Sequence, residues 1–344
     1  MSKYASNAIF SKARAMYGQR LTENDYNKLL ACNSVSEILT YLKSNGRYGN
    51  IVSKLSESTI HRGELEMVLR RQLFEDYEAL CRYELTIGGE FSDYTVTKAE
   101  IAQIMHYLTM FSAGNPHDFY SLLPKYFSKV SSVNFTAMAG AETYDEFLTV
   151  LKRSPYYKIL EPFRPRKGER IDLPSVENAL YNYQFGRIYA IIDKTSPEEQ
   201  KDLHDMFDAN IDLRNFTRIF RLKKYYKLSP DEIKNHILPF GSLKARQIDE
   251  MCNAQDTKEL FAIMQQTSSG KRIAKMNYTF MLEIPRRALY EESYKNMYFS
   301  VSPTVVLIAY YNLAEAEINN IINIIEGVRY KADTEKIRKL LIYK

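Results

Sequence analysis

The sequence predicts an all-α protein made of three similar helical subdomains in one chain, and three observations predict it. Of 344 residues only 13 are Gly and 11 are Pro, too few for the many tight turns of an α/β enzyme or a β-sandwich. Two short motifs recur three times each, in the same order. Apolar residues then continue at helical spacing, as in Phe216, Ile219 and Phe220, or Ile321, Ile324 and Ile325. A hydrophobic share of 45% with 26% charged residues excludes bulk disorder. Trp is absent while Tyr stands at 27, which suits many half-buried amphipathic positions.

The first motif occurs once in each unit. Ser34-Val-Ser-Glu37-Ile38-Leu39, Thr143-Tyr-Asp-Glu146-Phe147-Leu148 and Asp256-Thr-Lys-Glu259-Leu260-Phe261 all read cap–x–x–Glu followed by two apolar residues. This is the pattern of a capping box. The Ser, Thr or Asp side chain accepts from an orphan backbone N–H, and Glu reaches back to the cap's own N–H. The capping glutamates lie 109 and 113 residues apart.

A middle helix follows, marked by Glu66-x-x-Leu69 and Glu177-x-x-Leu180; in the third copy Ile284-Pro285 is expected to interrupt it. The second motif closes each unit. Glu100-Ile-Ala-Gln103-Ile104 matches Asp212-Leu-Arg-Asn215-Phe216 and Glu317-Ile-Asn-Asn320-Ile321, at 63, 66 and 58 residues after the capping Glu. The two later copies share a tail in which a new cap starts a short helix, Ser229-Pro-Asp-Glu-Ile233 and Asp333-Thr-Glu-Lys-Ile337, with a one-residue gap between them. Turn signals at Gly114-Asn-Pro116 and Ser229-Pro230 divide the chain into 1–115, 116–228 and 229–344. Such units are too long for tetratricopeptide or HEAT arrays, whose periods are about 34 to 47 residues. Periodicity alone fits either a stacked solenoid or a closed pseudo-threefold ring.

Lys and Arg number 47 against 42 Asp and Glu, a formal +5. Between Arg214 and Lys234 lie seven basic and two acidic residues, so that stretch carries the whole surplus. The most apolar run, Thr304 to Leu313, is about half the length a membrane span needs, and the N-terminus lacks a signal-peptide core. Neither direct membrane insertion nor a signal peptide is expected. Cys32, Cys81 and Cys252 are widely spaced, with no CxxC pair, and read as thiols in a reducing compartment.

Catalytic constellations are missing from the sequence. Thr267-Ser-Ser-Gly270-Lys271-Arg272 resembles a phosphate loop but lacks the leading Gly and has Arg where magnesium needs Ser or Thr. His61, His106, His117, His204 and His236 form no HxxxH or HExxH pair. No catalytic residue, cofactor or metal is expected. Ser34, Glu37, Thr143, Glu146, Asp256 and Glu259 are assigned as structural helix caps.

One stretch suggests contact with a partner. On a helix from Asp212, Leu213, Phe216, Ile219, Phe220 and Lys223 cluster on one broad side, and Arg214, Arg218, Arg221 and Tyr225 follow the other. Arg214, Arg218, Arg221, Lys223 and Lys224 are the candidate residues for docking a partner. An outward stripe of arginines would pair with carboxylates on an acidic partner. Charge balance elsewhere argues against nucleic acid. The residues also allow a free-standing helical scaffold, or an RNA-binding helical protein using 214–227.

The order of these elements resembles the C-subunit family of the vacuolar/archaeal-type (V/A-type) rotary ATPases, whose eukaryotic vacuolar member is called the d subunit. The opening Tyr4-Ala-x-x-Ala8 … Lys12-Ala-Arg14-Ala … Leu21-Thr22 … Tyr26 … Leu29-Leu30 is similar to that family's. Ser34-Val-Ser-Glu37, Tyr41-Leu42 and Tyr48 follow, and later Asp212-Leu-Arg-Asn215-Phe216 … Arg221 … Lys223. The resemblance implies three helical subdomains forming a funnel with pseudo-threefold symmetry. It also implies a non-catalytic central-stalk component, cytoplasmic and peripheral to the membrane. Its partners would be the rotor shaft of D and F subunits, which plugs into the funnel, and the membrane rotor ring of proteolipid subunits beneath it. The complex would couple ATP hydrolysis or synthesis to ion movement.

Overall fold

The computed structural model describes residues 3–60, 62–83, 88–114, 130–166, 168–276 and 278–343. His61, His117 and the Asn115-Pro116 turn signal lie outside the described residues. Among the described residues the protein is all-α, with eighteen α-helices and no strand.

The chain opens with α1 (Lys3–Gly18) and three shorter helices, α2 (Glu23–Leu30), α3 (Val35–Ser44) and α4 (Gly49–Val52). A long pair follows, α5 (Arg62–Cys81) and α6 (Gly88–Ser112). Then come α7 (Phe135–Ala139), α8 (Tyr144–Leu151) and α9 (Tyr156–Leu160), and a second long pair, α10 (Leu173–Ile192) and α11 (Pro197–Arg221). The last third holds the short α12 (Pro230–Lys234), α13 (Ala245–Asn253), α14 (Thr257–Gln265) and α15 (Ser268–Ile273). The long pair α16 (Ile284–Phe299) and α17 (Pro303–Arg329) follows, and α18 (Thr334–Leu340) ends the fold.

Proline starts these helices rather than breaking them. α10, α11, α16 and α17 each carry Pro in the first turn, where its missing N–H costs no intrahelical bond. Pro285 is one of these. The expected interruption of the third middle helix is therefore a helix start, with the 3₁₀ turn Met281–Glu283 leading into it.

The long pairs share one core. Phe91 and Tyr94 of α6, Phe185 to Ile192 of α10, Leu203 to Ile211 of α11, Met297 of α16 and most of α17 bury together with α1 to α5. Two satellite cores form where the long helices run on past this centre. One joins Ile101 to Leu108 of α6 with α7, α8, α9 and the start of α10 (Val176, Leu180). The other joins Leu213 to Ile219 of α11, and Leu222 just after it, with α13, α14, α15 and the start of α16 (Ile284, Ala288). A core thus gathers the end of one sequence repeat and the beginning of the next. The short helices α2 and α3 pack on α17, so the chain's last long helix completes its first group of short helices.

Candidate docking site

Each capping residue sits at a helix N-terminus, and the three boxes share one departure from the expected geometry. Ser34 Oγ accepts from Glu37 N at 3.1 Å, Thr143 Oγ1 from Glu146 N at 3.2 Å, and Asp256 Oδ1 from Glu259 N at 2.9 Å. The glutamates do not return to the cap's own N–H. Each reaches one residue further, to Asn33 N at 2.8 Å, Glu142 N at 2.8 Å and Gln255 N at 2.6 Å. The cap backbones are extended, with φ near −148°, −125° and −141°, which leaves the preceding N–H within the carboxylate's reach.

The acidic residue of the second motif is a buried anchor in all three copies. Glu100, Asp212 and Glu317 lie inside α6, α11 and α17 at 3%, 0% and 6% exposure. Glu317 accepts from Leu21 N at 2.8 Å and Tyr48 OH at 2.5 Å. Glu100 accepts from Ser132 N at 2.6 Å and Tyr156 OH at 2.6 Å. Asp212 accepts from Ser242 N at 2.9 Å, Leu243 N at 3.1 Å and Ser269 Oγ at 2.8 Å. Each carboxylate therefore ties a backbone N–H ahead of the short helices to a hydroxyl after the capping-box helix. Gly241, at φ +102°, lets the backbone wrap around Asp212: a Cβ there would lie 2.4 Å from Oδ1. Burial raises the Asp212 carboxyl above the usual carboxylate range despite these bonds.

The Asn three residues on is a second clamp. Asn215 exchanges two hydrogen bonds with the Leu238 backbone, at 3.0 and 2.9 Å, and Asn320 does the same with Ile342, at 2.8 and 2.9 Å. These partners lie 23 and 22 residues on. The same distance beyond Gln103 falls outside the described residues.

The basic segment is divided rather than presented as one outward stripe. Arg218 donates to Asn178 Oδ1 at 2.6 Å and to the His236 carbonyl at 2.7 Å, and burial lowers its pKa. Arg214 donates to Asn210 Oδ1 at 3.0 Å and lies over the Tyr181 and Phe185 rings. Lys223 donates to the Cys252 carbonyl at 2.6 Å, at the end of α13. Arg221 is half-exposed, 3.8 Å from Glu177. Lys224 is exposed beside Tyr225 and Tyr226, with its ammonium 5.1 Å from the Phe220 ring centre. Arg214, Arg218 and Arg221 line a cavity of about 150 Å³ together with Glu177, Tyr181, Thr217, Pro285 and Arg286. Glu177 and Arg286 complete it from α10 and α16. Sequence reading missed both, since no local spacing joins three helices, although Arg286 follows directly on the helix-starting Pro285.

The phosphate-loop look-alike is explained by packing. Thr267 caps α15, and a Cβ on Gly270 would fall 1.8 Å from the Met264 carbonyl oxygen. Gly is needed there for close approach of α14 and α15. Among the described residues no group of three or more His, Cys, Asp or Glu could hold a metal ion, and no helix is long and apolar enough to cross a membrane.

The family model described as ATP synthase (C/AC39) subunit matches residues 9–340. The chain belongs to this family. It is 24% identical over 321 residues to the A-type ATP synthase C subunit of Methanosphaera stadtmanae, covering 90% of this chain and 80% of that protein. Against the A-type ATP synthase C subunit of Pyrococcus abyssi it is 23% identical over 340 residues, covering 96% and 88%. Several of the residues that carry the C/AC39 likeness have structural roles. Asp212 and Asn215 hold loops, Lys223 caps α13, and Arg14 donates to the Met297 and Ser300 carbonyls at the end of α16 at 2.9 and 3.0 Å.

Proposed function

We propose that this chain is a non-catalytic central-stalk component of an A-type rotary ATP synthase, the socket through which a D/F rotor shaft turns the membrane ring of proteolipid subunits. Membership of the C/AC39 family over residues 9–340 carries the reading, and relatives named as the C subunit of A-type ATP synthases cover most of the chain. The internal construction supports it. A part that transmits torque needs stiff joints between its lobes, and buried carboxylates tying one chain region to another supply them. Hydrogen bonds to a charged acceptor contribute about 1.5–3 kcal/mol each. On this reading the chain lies peripheral to the membrane on the cytoplasmic side and contacts it only through the ring. Within the basic segment, the exposure of Arg221 and Lys224 supports assigning them, rather than Arg214, Arg218 and Lys223, to contact with a partner.

Affinity purification of the tagged chain from detergent-solubilised membranes tests this, with co-purifying proteins read by mass spectrometry. Catalytic-head subunits, the D and F shaft proteins and a proteolipid are expected together. Recovery of the chain alone, or with RNA and no other ATPase component, would contradict it.

A further inference from the structure

We propose that the arginine-lined cavity between α10, α11 and the start of α16 is a binding site for a phosphate group. Four guanidinium groups line it: Arg214, Arg218 and Arg221 from successive turns of α11, and Arg286 from the first turn of α16. Among the lining residues Glu177 is the one carboxylate; from outside the lining, the charges of Glu315 and Glu283 also act on Arg286. Glu177 stands 3.8 Å from both Arg218 and Arg221, beyond hydrogen-bonding distance, so their donors toward the cavity are not satisfied by it.

Other donors are also unspent. Arg221 Nε is buried without a hydrogen-bond partner among the described residues. Arg214 commits its Nε to Asn210, and Tyr181 supports its planar face from below. Arg286 is exposed and lines the cavity, where Glu315 and Glu283 balance part of its charge. Converging like charges in a partly enclosed space favour occupation by an anion.

The number of forks selects the anion. One carboxylate is satisfied by one bidentate guanidinium, whereas a phosphate offers acceptor oxygens in several directions and takes several. Size sets the limit. At about 150 Å³ the cavity is well below the roughly 300–1,000 Å³ of pockets that enclose larger organic ligands. The site therefore takes the phosphate group itself, as free phosphate or as the head of a small phosphate ester. This goes beyond the stalk reading and needs only the full chain on its own.

Titration calorimetry of the full chain with orthophosphate, at an ionic strength held constant with chloride, tests the site. Saturable binding is expected. Arg286→Gln, at an exposed position, should weaken it about tenfold or more, the worth of one charge-assisted hydrogen bond. Glu177→Gln should tighten it, because the competing carboxylate is gone; a merely structural role would give loss instead. Thermal melts run alongside establish that both variants are folded. Glycerol phosphate binding as well as orthophosphate would identify an ester as an acceptable source, and orthophosphate alone would identify the free ion. The proposal is overturned if phosphate gives no heat beyond chloride with folded wild type. It is equally overturned if Arg286→Gln binds phosphate as wild type does, or if Glu177→Gln binds it more weakly.

Discussion

Asp212 has no exposed surface; it holds the loop that leads into α13 by two backbone N–H groups and the Ser242 hydroxyl, and ties it to the Ser269 hydroxyl of α15. Asp212→Ala leaves the part-buried Ser242 and Leu243 N–H groups without their acceptor and should cost about 3 kcal/mol in urea unfolding. Asp212→Asn should cost much less, since its carbonyl can still accept from the N–H groups while the hydroxyls turn to accept from its amide. The difference should depend on pH. Burial raises the folded-state pKa of Asp212 above the unfolded one, so the native state binds that proton more tightly. Its contribution is fully present below the unfolded value and declines as pH rises through the folded one. Asn does not titrate, so the stability gap between wild type and Asp212→Asn should narrow between about pH 4 and about pH 7. A gap that widens would show that the carboxylate is stabilised by its donors more than burial penalises it. The motif itself was legible in the sequence as an acidic residue three positions before Asn or Gln. What it holds was not, because the partners lie 30 residues away for Asp212 and 296 for Glu317.

At the level of elements, one small mismatch between repeats has a visible resolution. From Asn215 to Lys227 the chain takes one residue more than from Asn320 to Lys331, and both lysines adopt left-handed φ, 56° and 52°. α17 reaches this corner as an α-helix, whereas α11 passes into a π-helical turn over Leu222–Tyr226. The wider turn absorbs the extra residue. Deleting Lys224 should therefore convert the turn to α-helix and leave the protein folded, within about 1 kcal/mol of wild type. Deleting Ile211, in the helix interior, should abolish cooperative unfolding by rotating Asp212 and the whole distal face of α11. If both deletions behave alike in thermal melts, the π turn is not the site of the insertion. The capping boxes were readable because they are local, spanning four residues. The start of α16 was misread for the opposite reason: proline breaks or begins a helix according to what precedes it, and the 3₁₀ turn at Met281–Glu283 has no sequence signature of its own.

Across the whole molecule, the ends of the chain close on each other. Glu317 holds Leu21 and Tyr48, Asn320 donates to Tyr26 OH, and Arg14 caps α16. A protein ending at residue 302 should therefore lose protection in α2 and α3 by hydrogen exchange, while α7 to α9, held by Glu100, keep theirs. Equal protection in both regions would show that α17 is not what completes the first group of short helices. The repetition of motifs was plain in the sequence. How the satellite cores gather the distal part of one long helix with the short helices that follow it was not, because only tertiary contacts reveal that grouping. The proposed role in the stalk makes the strongest demand on the whole molecule, and one reconstitution meets it most directly. Vesicles carrying the ATPase are prepared without this chain and then with it restored, and ATP hydrolysis and ion uptake are measured together. Without the chain, hydrolysis by the head should persist while ion uptake is lost, and adding the chain should restore uptake driven by that hydrolysis. Ion uptake that is undiminished in its absence would contradict a coupling role for this protein.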